Sequence, residues 1–539
     1  MQRPFYAALL LLTACGASGG SDPTASESSA DATDGPDSAG STGGQTSGPT
    51  AGEEDSNTQP TTSDGTTEGS ESEGESDDSS GETGDPPLPE GICNADGECG
   101  FPESCSTCPD ECGSCDVADY PDQQAKYVDQ ACENAGDGLT DSCAASPGGA
   151  GRFNDLQVAL DSLVGGDTLY VHPGDYFRAG EPFVIAGDGT QDAPIFMTAA
   201  IADDPPTIHS WDPNDLDNNA GSHEAIVGGG AYVVLDGVRV RGLAQFSGEH
   251  NRVQNIECTH GWEECDGNWS CIRLEYCNDC NVHHNWVHDI EDDTTLCTEH
   301  DPREAGFKEF DAQRAIWEFN TVENTVRWGY DLHRSSTDPV ARYNLFRNIP
   351  TTAIRMNRSG NMQAYGNVVI GAGECIGYIN EDPGDGFANL IDHNTCLFAQ
   401  TGIAFNPFSP TTVTHNVMGQ MAPGGSEQVD IVAPPPEDGV PHTIDRNAYD
   451  SNSWWSTVLY EIYAETLAEW QEITDYDDNS IAAPGGACTF VDAPSDASDA
   501  EFDLTIAEGE CATLSDDSGP IGACAITACV GHDCSSCGF

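Results

Sequence analysis

Between residues 285 and 447 short apolar runs recur along the chain, each opened by an asparagine that follows a polar, aromatic or glycine residue. The runs begin after Asn285, Asn320, Asn344, Asn367, Asn394, Asn416 and Asn447, in steps of 35, 24, 23, 27, 22 and 31 residues. Such a step, with occasional longer intervals, marks one supersecondary unit repeated with loop insertions. Runs this short, rich in Val, Ile and Leu, suit strands stacked in parallel with their apolar side inward. Asparagines at equivalent turns of the stack can hydrogen-bond to one another along its axis. They are therefore expected to be structural, not catalytic.

Upstream, the chain reads FNDLQVALDSLVGGDTLYVHPGDYF from Phe153 to Phe177. Leu156, Ala159, Leu160 and Leu163 fall at helical spacing and Gly165-Gly166 stops the helix; Thr168 to Val171 reads as a strand and Pro173-Gly174 as a turn. A helix in this place would cover the open edge of the first coil. With GTQDAPIFMTAA (189–200), VVLDGVRVRG (233–242), the Asn-led runs and AEWQEITDYDDNS (468–480), the chain resembles the pectate-lyase-like superfamily over roughly residues 125–485. The resemblance implies an all-β fold, a right-handed parallel β-helix with an N-terminal capping helix. It implies no single activity, since this fold hosts lyases, hydrolases, epimerases and non-enzymatic surface proteins.

Composition adds what lies outside the repeat. Apolar residues are 37% of the 539, and acidic residues outnumber basic ones 92 to 18, so a large part of the chain lies outside any core. Residues 1–15 hold Arg3, the apolar stretch Phe5 to Leu12 and then Leu-Thr-Ala-Cys. This ending resembles a bacterial lipobox and implies export, acylation of Cys15, and an outer-membrane or cell-surface location through the lipid. An ordinary signal peptide with an unpaired Cys15 is the alternative. Residues 16–90 contain no Lys, Arg or aromatic residue and read as a disordered acidic tether rich in Ser, Thr and Gly.

Without Cys15, 22 cysteines remain, an even number that export directs toward disulfides. Six of them, Cys93, Cys99, Cys105, Cys108, Cys112 and Cys115, fill a module at 91–116 that is too small for a hydrophobic core. Zinc is the competing use of the Cys105/Cys108 and Cys112/Cys115 spacing. Cys132 with Cys143 reads as a loop staple. Cys258, Cys265, Cys271, Cys277, Cys280 and Cys297 read as three bridges, and residues 486–539 as a Cys-rich cap or appendage over the last coil.

Positive charge is scarce, so its placement is informative: Lys308 and eight arginines, Arg303, Arg314, Arg327, Arg334, Arg342, Arg347, Arg355 and Arg358, make up half of the 18 basic residues. On stacked coils they could form a cationic strip, with Arg314, Arg327, Arg355 and Arg358 binding the carboxylates or sulfates of an extracellular acidic polysaccharide. Neutralisation of neighbouring acids is the other reading. Lyases of the resembled superfamily cleave uronate polymers by β-elimination, which needs a base, a cation against the enolate-like charge, and an acid for the leaving oxygen. Lysine is the easier base, because arginine resists deprotonation. His333 and Arg334 follow Lys308 by 25 and 26 residues, about one coil. The resemblance to chondroitinase-B and alginate-lyase types implies Lys308 as base and Arg334 as acid, beside His333; two surface residues at repeat positions is the competing account. Calcium is the usual electrophile of such lyases, and Asp292 and Asp293 offer hard oxygen ligands. A non-catalytic carbohydrate-binding or adhesive protein is the alternative function. With a net charge of -74, nucleic acid is not a partner.

Overall fold

The computed structural model describes residues 99, 101–112, 114–213, 224–259, 270–290, 305–333, 336–357, 360–379, 388–405, 409–419, 429–433, 440–450, 454–457, 463–483 and a series of positions between 488 and 522. Cys15, the tether 16–90, Asp292, Asp293, Cys265, Cys297, Arg303, Arg334 and Arg358 lie outside the described residues.

Each coil has three faces. Ile316–Glu318, Thr321–Glu323 and Trp328–His333 lie on the first, second and third face of one coil, and Val340–Arg342 returns to the first face. Successive coils pair in parallel and in register, with Ile316 opposite Val340, Thr321 opposite Leu345 and Tyr330 opposite Ile354. First-face strands build a 12-stranded sheet; the other two faces share a 22-stranded sheet, joined where Leu345–Asn357 and Val368–Ile379 run through both. The chain is thus a right-handed parallel β-helix, the hand that parallel crossovers take. Inward residues such as Val282, Trp317, Val322, Tyr330, Phe346 and Ile354 form one continuous core along the axis.

The corner between the first and second face explains the Asn repeat. The residue before each asparagine is left-handed, at φ 54 for Phe319, 56 for Tyr343, 51 for His393 and 55 for His415. The asparagine itself is buried, with its Nδ2 donating to Oδ1 of the next coil's asparagine at 2.9–3.1 Å from Asn285 through to Asn447. Its other Nδ2 hydrogen meets a first-face carbonyl of the coil before, as from Asn344 to Trp317. Each Oδ1 also accepts the preceding asparagine's backbone N–H. The ladder ends on Ser480, which accepts from the Asn447 N–H, and on Asp477, which accepts from its Nδ2.

Both ends of the core are closed by helices. Leu156–Asp161, N-capped by Asp155, buries Leu156, Ala159 and Leu160 at the first coil. It stops before Leu163, which is buried all the same. At the other end Leu467–Thr474, capped by Thr466, buries Trp470, whose Nε1 donates to Asp477. Of the Cys-rich cap or appendage expected at 486–539, the described residues lie beside the coils. Cys488–Asp492 and Asp503–Gly509 form an antiparallel hairpin that lies along the outer side of the second face. There Leu504 and Phe490 pack on Leu345, Val368 and Leu397, while Ile506 and Cys511 pack on Val417 and Ala448. Apolar residues on the outside of that face need such a cover.

The Cys-rich module is docked on the first face. Its described cysteines are in disulfides, with pairs Cys99–Cys112 and Cys105–Cys115, so none is available to zinc in this state. Cys132–Cys143, Cys258–Cys271 and Cys277–Cys280 are also bridged. Beneath the module lies a fully buried ion pair, Arg342 to Glu318 at 2.6 Å. Ser104 and Asn281 donate to Glu318, and Arg342 donates to the Tyr365 hydroxyl and to Thr107. Burial raises the Glu318 carboxyl, yet Arg342 and these donors leave it below the usual range. Without such hydrogen bonds the desolvation of two ions would outweigh their attraction.

Asn344→Ala should orphan the Asn320 donors and the Trp317 carbonyl at once, and lower the unfolding free energy by roughly 3 kcal/mol or more. A denaturant midpoint equal to wild type would refute the ladder's contribution. Burial pushes the Asp477 carboxyl up to about 6 against its four donors. Between the unfolded value near 4 and this folded value the native state holds a proton the unfolded chain lacks, so stability falls as pH rises through that window, by about 3 kcal/mol. Asp477→Asn should remove this slope, as seen by comparing thermal midpoints of the two proteins from pH 4 to 7.

Candidate functional site

On the third face side chains alternate between core and exterior. Phe307, Tyr330, Leu332, Ile354 and Met356 enter the core, so Lys308, Asp331 and Arg355 point away from it. Register places these on one line across the coils, Arg273, Lys308, Asp331, Arg355 and then Gly377. Although this row is on the outer side, Lys308 and Asp331 are fully buried. Arg355 Nη1 donates to Asp331 Oδ1 at 3.2 Å.

Trp328 organises the cations. The Arg327 and Arg355 guanidinium carbons lie 4.3 and 4.2 Å from its ring centroid, and Lys308 Nζ lies 5.6 Å away. Such stacking fixes the plane of each guanidinium. Arg273 lies 5.0 Å over the Phe310 ring, which in turn meets His333 edge-on at 5.1 Å. His333 Nδ1 is 3.2 Å from Asn357 Nδ2 and 3.8 Å from Asp331 Oδ2, an oxygen with no hydrogen bond among the described residues.

The row closes on Glu374. Burial raises its carboxyl, opposed by a hydrogen bond from Thr352 at 2.9 Å and by Arg355. Its Oε2 sits where a Cβ of Gly377 would be, 2.0 Å away. Behind the row, on the core side of the strand that bears Lys308, Glu309 accepts from Trp317 Nε1 at 2.8 Å and from the Tyr330 hydroxyl at 2.7 Å, with its carboxyl also raised by burial.

The structure brings together Lys308, His333, Arg327 and Arg355. Among the described residues the cations do not form the single strip expected from the sequence. Arg314 is held away at a turn by a two-point contact to Asp279, 2.6 and 2.7 Å. Arg342 is buried on the first face and Arg347 pairs with Glu323 on the second. The reason is geometric: basic residues separated by a fraction of a coil fall on different faces. The neutralising reading therefore holds for Arg314, Arg342 and Arg347. Sequence reasoning missed Trp328 and Glu374, and took Asp331 only as an acid for an arginine to neutralise, which Arg355 does, not as a member of the row. Asp331 had a readable signal, since it stands 23 residues after Lys308 and 24 before Arg355, one coil step each way.

No family model matches the chain, and no curated protein matches it in sequence. Among solved structures it is similar to the pectate lyase Pel9A at 16% identity, over 55% of this chain and 76% of that one, with a TM-score of 0.38. It is similar to XylC in complex with xylose at 10% identity, over 69% and 88%, with a TM-score of 0.44. A rhamnogalacturonan lyase aligns at 14% identity over 57% and 89%, with a TM-score of 0.34.

Gly377→Ala should force the half-buried Glu374 carboxyl off Thr352 and cost about 1–3 kcal/mol. Adding Glu374→Ala to that variant should recover part of the loss. Thermal unfolding of the two variants checks this, and an unchanged midpoint for Gly377→Ala would show that Glu374 does not cover the row.

Proposed function

We propose that the third face engages an acidic polysaccharide lengthwise and cleaves it by β-elimination at the Lys308 row. The convergence of Arg327, Arg355 and Lys308 on Trp328 carries this reading. Two guanidiniums held by one indole present planar donor edges suited to a uronate carboxylate, and a stack of parallel coils offers an extended surface for a polymer. In this reading Arg327 and Arg355 hold the carboxylate and offset the charge that develops when the adjacent carbon loses its proton. Lys308 takes that proton, and His333 or Arg334 returns one to the leaving oxygen. Asp292 and Asp293 would hold a calcium ion, which would supply positive charge as the electrophile. Acylation at Cys15 would hold the protein on the outer membrane or cell surface, with the acidic segment as its tether.

A second reading is a non-catalytic carbohydrate-binding surface protein. The complete burial of Lys308 favours it, because a base must reach its substrate.

The test is incubation of the purified protein with polygalacturonate, alginate and chondroitin, with and without Ca²⁺. Growth of ultraviolet absorbance from the unsaturated product is expected. Lys308→Ala should abolish it without loss of fold, and Arg355→Ala should weaken binding by about 10- to 100-fold. Binding without product would select the second reading, and neither binding nor product on any acidic polymer would sink both.

A further inference from the structure

Away from the third face, the corner row contains one pair of rungs unlike the others. At the left-handed corner position stand His284, Phe319, Tyr343, Gly366, His393, His415 and Arg446, with His284 stacked on Phe319 and hydrogen-bonded to its neighbour His283. Phe319 and Tyr343 stack as plain rings, 5.2 Å between centroids. At the next aromatic rungs the rings are imidazoles, His393 and His415, 4.6 Å apart. There the adjoining first-face residue is an aspartate set between two imidazoles, Asp392, where the coils before carry His283, Glu318, Arg342 and Tyr365.

Both imidazoles turn the same nitrogen to this carboxylate. His393 Nδ1 lies 2.7 Å from Asp392 Oδ2, and His415 Nδ1 lies 3.0 Å from Oδ1, which also accepts from the Thr414 hydroxyl at 2.7 Å. Burial would raise the Asp392 carboxyl, but the hydrogen bonds from the two histidines bring it down to about 2. One donor atom from each of the three residues falls within 4.8 Å of the others. Asp392 is nearly inaccessible, at 2%, whereas each histidine side chain keeps 12% of its surface in solvent. The His415 Nε2 atom is shielded from solvent and has no hydrogen-bond partner among the described residues.

We infer that Asp392, His393 and His415 form a binding site for a divalent transition-metal ion of the zinc class. Two imidazole nitrogens and one carboxylate oxygen are the donor set that zinc, cobalt and nickel favour, whereas calcium and magnesium call for oxygen alone. The nitrogen-to-oxygen separations of 2.7 and 3.0 Å are those of hydrogen bonds; tetrahedral ligands sharing one ion at bonds of about 2.0–2.2 Å stand about 3.3–3.6 Å apart, so the three side chains need open by only a few tenths of an ångström to admit it. The scaffold is preorganised. The residues after the two histidines are Asn394 and Asn416, consecutive members of the buried ladder, which fixes both backbones relative to one another. The bound ion would rivet two consecutive coils at the corner.

The test uses the full chain, stripped with chelator and then titrated with ZnCl₂ in an excess of Ca²⁺, since carboxylates elsewhere also take up cations. One equivalent of Zn²⁺ retained under that excess is expected, with a rise in the thermal midpoint. His393→Gln/His415→Gln should lose this binding by 100-fold or more while unfolding cooperatively in metal-free buffer. Co²⁺ in place of Zn²⁺ should give a visible d–d band in the wild type and none in the double variant. Retention of Zn²⁺ by the double variant equal to wild type, or no binding by the wild type that survives Ca²⁺, would overturn the assignment.

Discussion

The structure depends on satisfying backbone groups at one corner of every coil. To pass from the first face to the second the chain takes a left-handed residue and then buries the next one, which strands polar groups away from water. The asparagine amide answers this by tying its coil to both neighbours: Nδ2 donates to a carbonyl of the coil before and to the asparagine of the coil after, and Oδ1 accepts from the asparagine of the coil before. Each rung is therefore complete only when its neighbours are present. The two ends must differ from the middle. At the start Ile256 occupies the corner and needs only to donate its N–H to Asn285, and at the finish Asp477 and Ser480 supply acceptors without another coil.

Once the corner is pinned, register follows on all three faces, and residues one coil apart become neighbours in a line. Along the middle coils the chain covers two of the resulting outer surfaces itself. The Cys-rich module sits over Glu318, Arg342 and Tyr365 on the first face, and the C-terminal hairpin sits over the apolar line from Leu345 to Ala448 on the second. The outer side of the third face carries charge instead, with Lys308 and Asp331 fully buried there.

The readability of these features in the sequence follows from how local each one is. The ladder was legible because a buried asparagine is chemically distinctive and recurs at coil length. Cys132–Cys143 was legible because its loop is short. The docking of the module was not, because Ser104 meets Glu318 across 214 residues of sequence and no periodic pattern encodes that contact. The arginines show an intermediate case. Their concentration was visible, but their faces were not, since that depends on loop lengths within each coil. Thus Arg327 and Arg355 converge while Arg314 turns to Asp279.

Net charge then bears on the third face less than it first suggests. A chain at -74 should repel an acidic polymer at long range, but at physiological salt a charge is screened beyond about 8 Å. Within such a distance the relevant groups are those of the row and its flanks: Arg273, Lys308, Arg327 and Arg355 against Glu275, Asp331 and Glu374. Burial raises the Glu374 carboxyl, and the four cations outnumber the three acids. The local balance is then positive in a molecule that is elsewhere strongly negative, so an anionic chain would be favoured along this line and disfavoured over the acidic surface around it. Selectivity for a position on the coil would arise from that contrast as much as from any single contact.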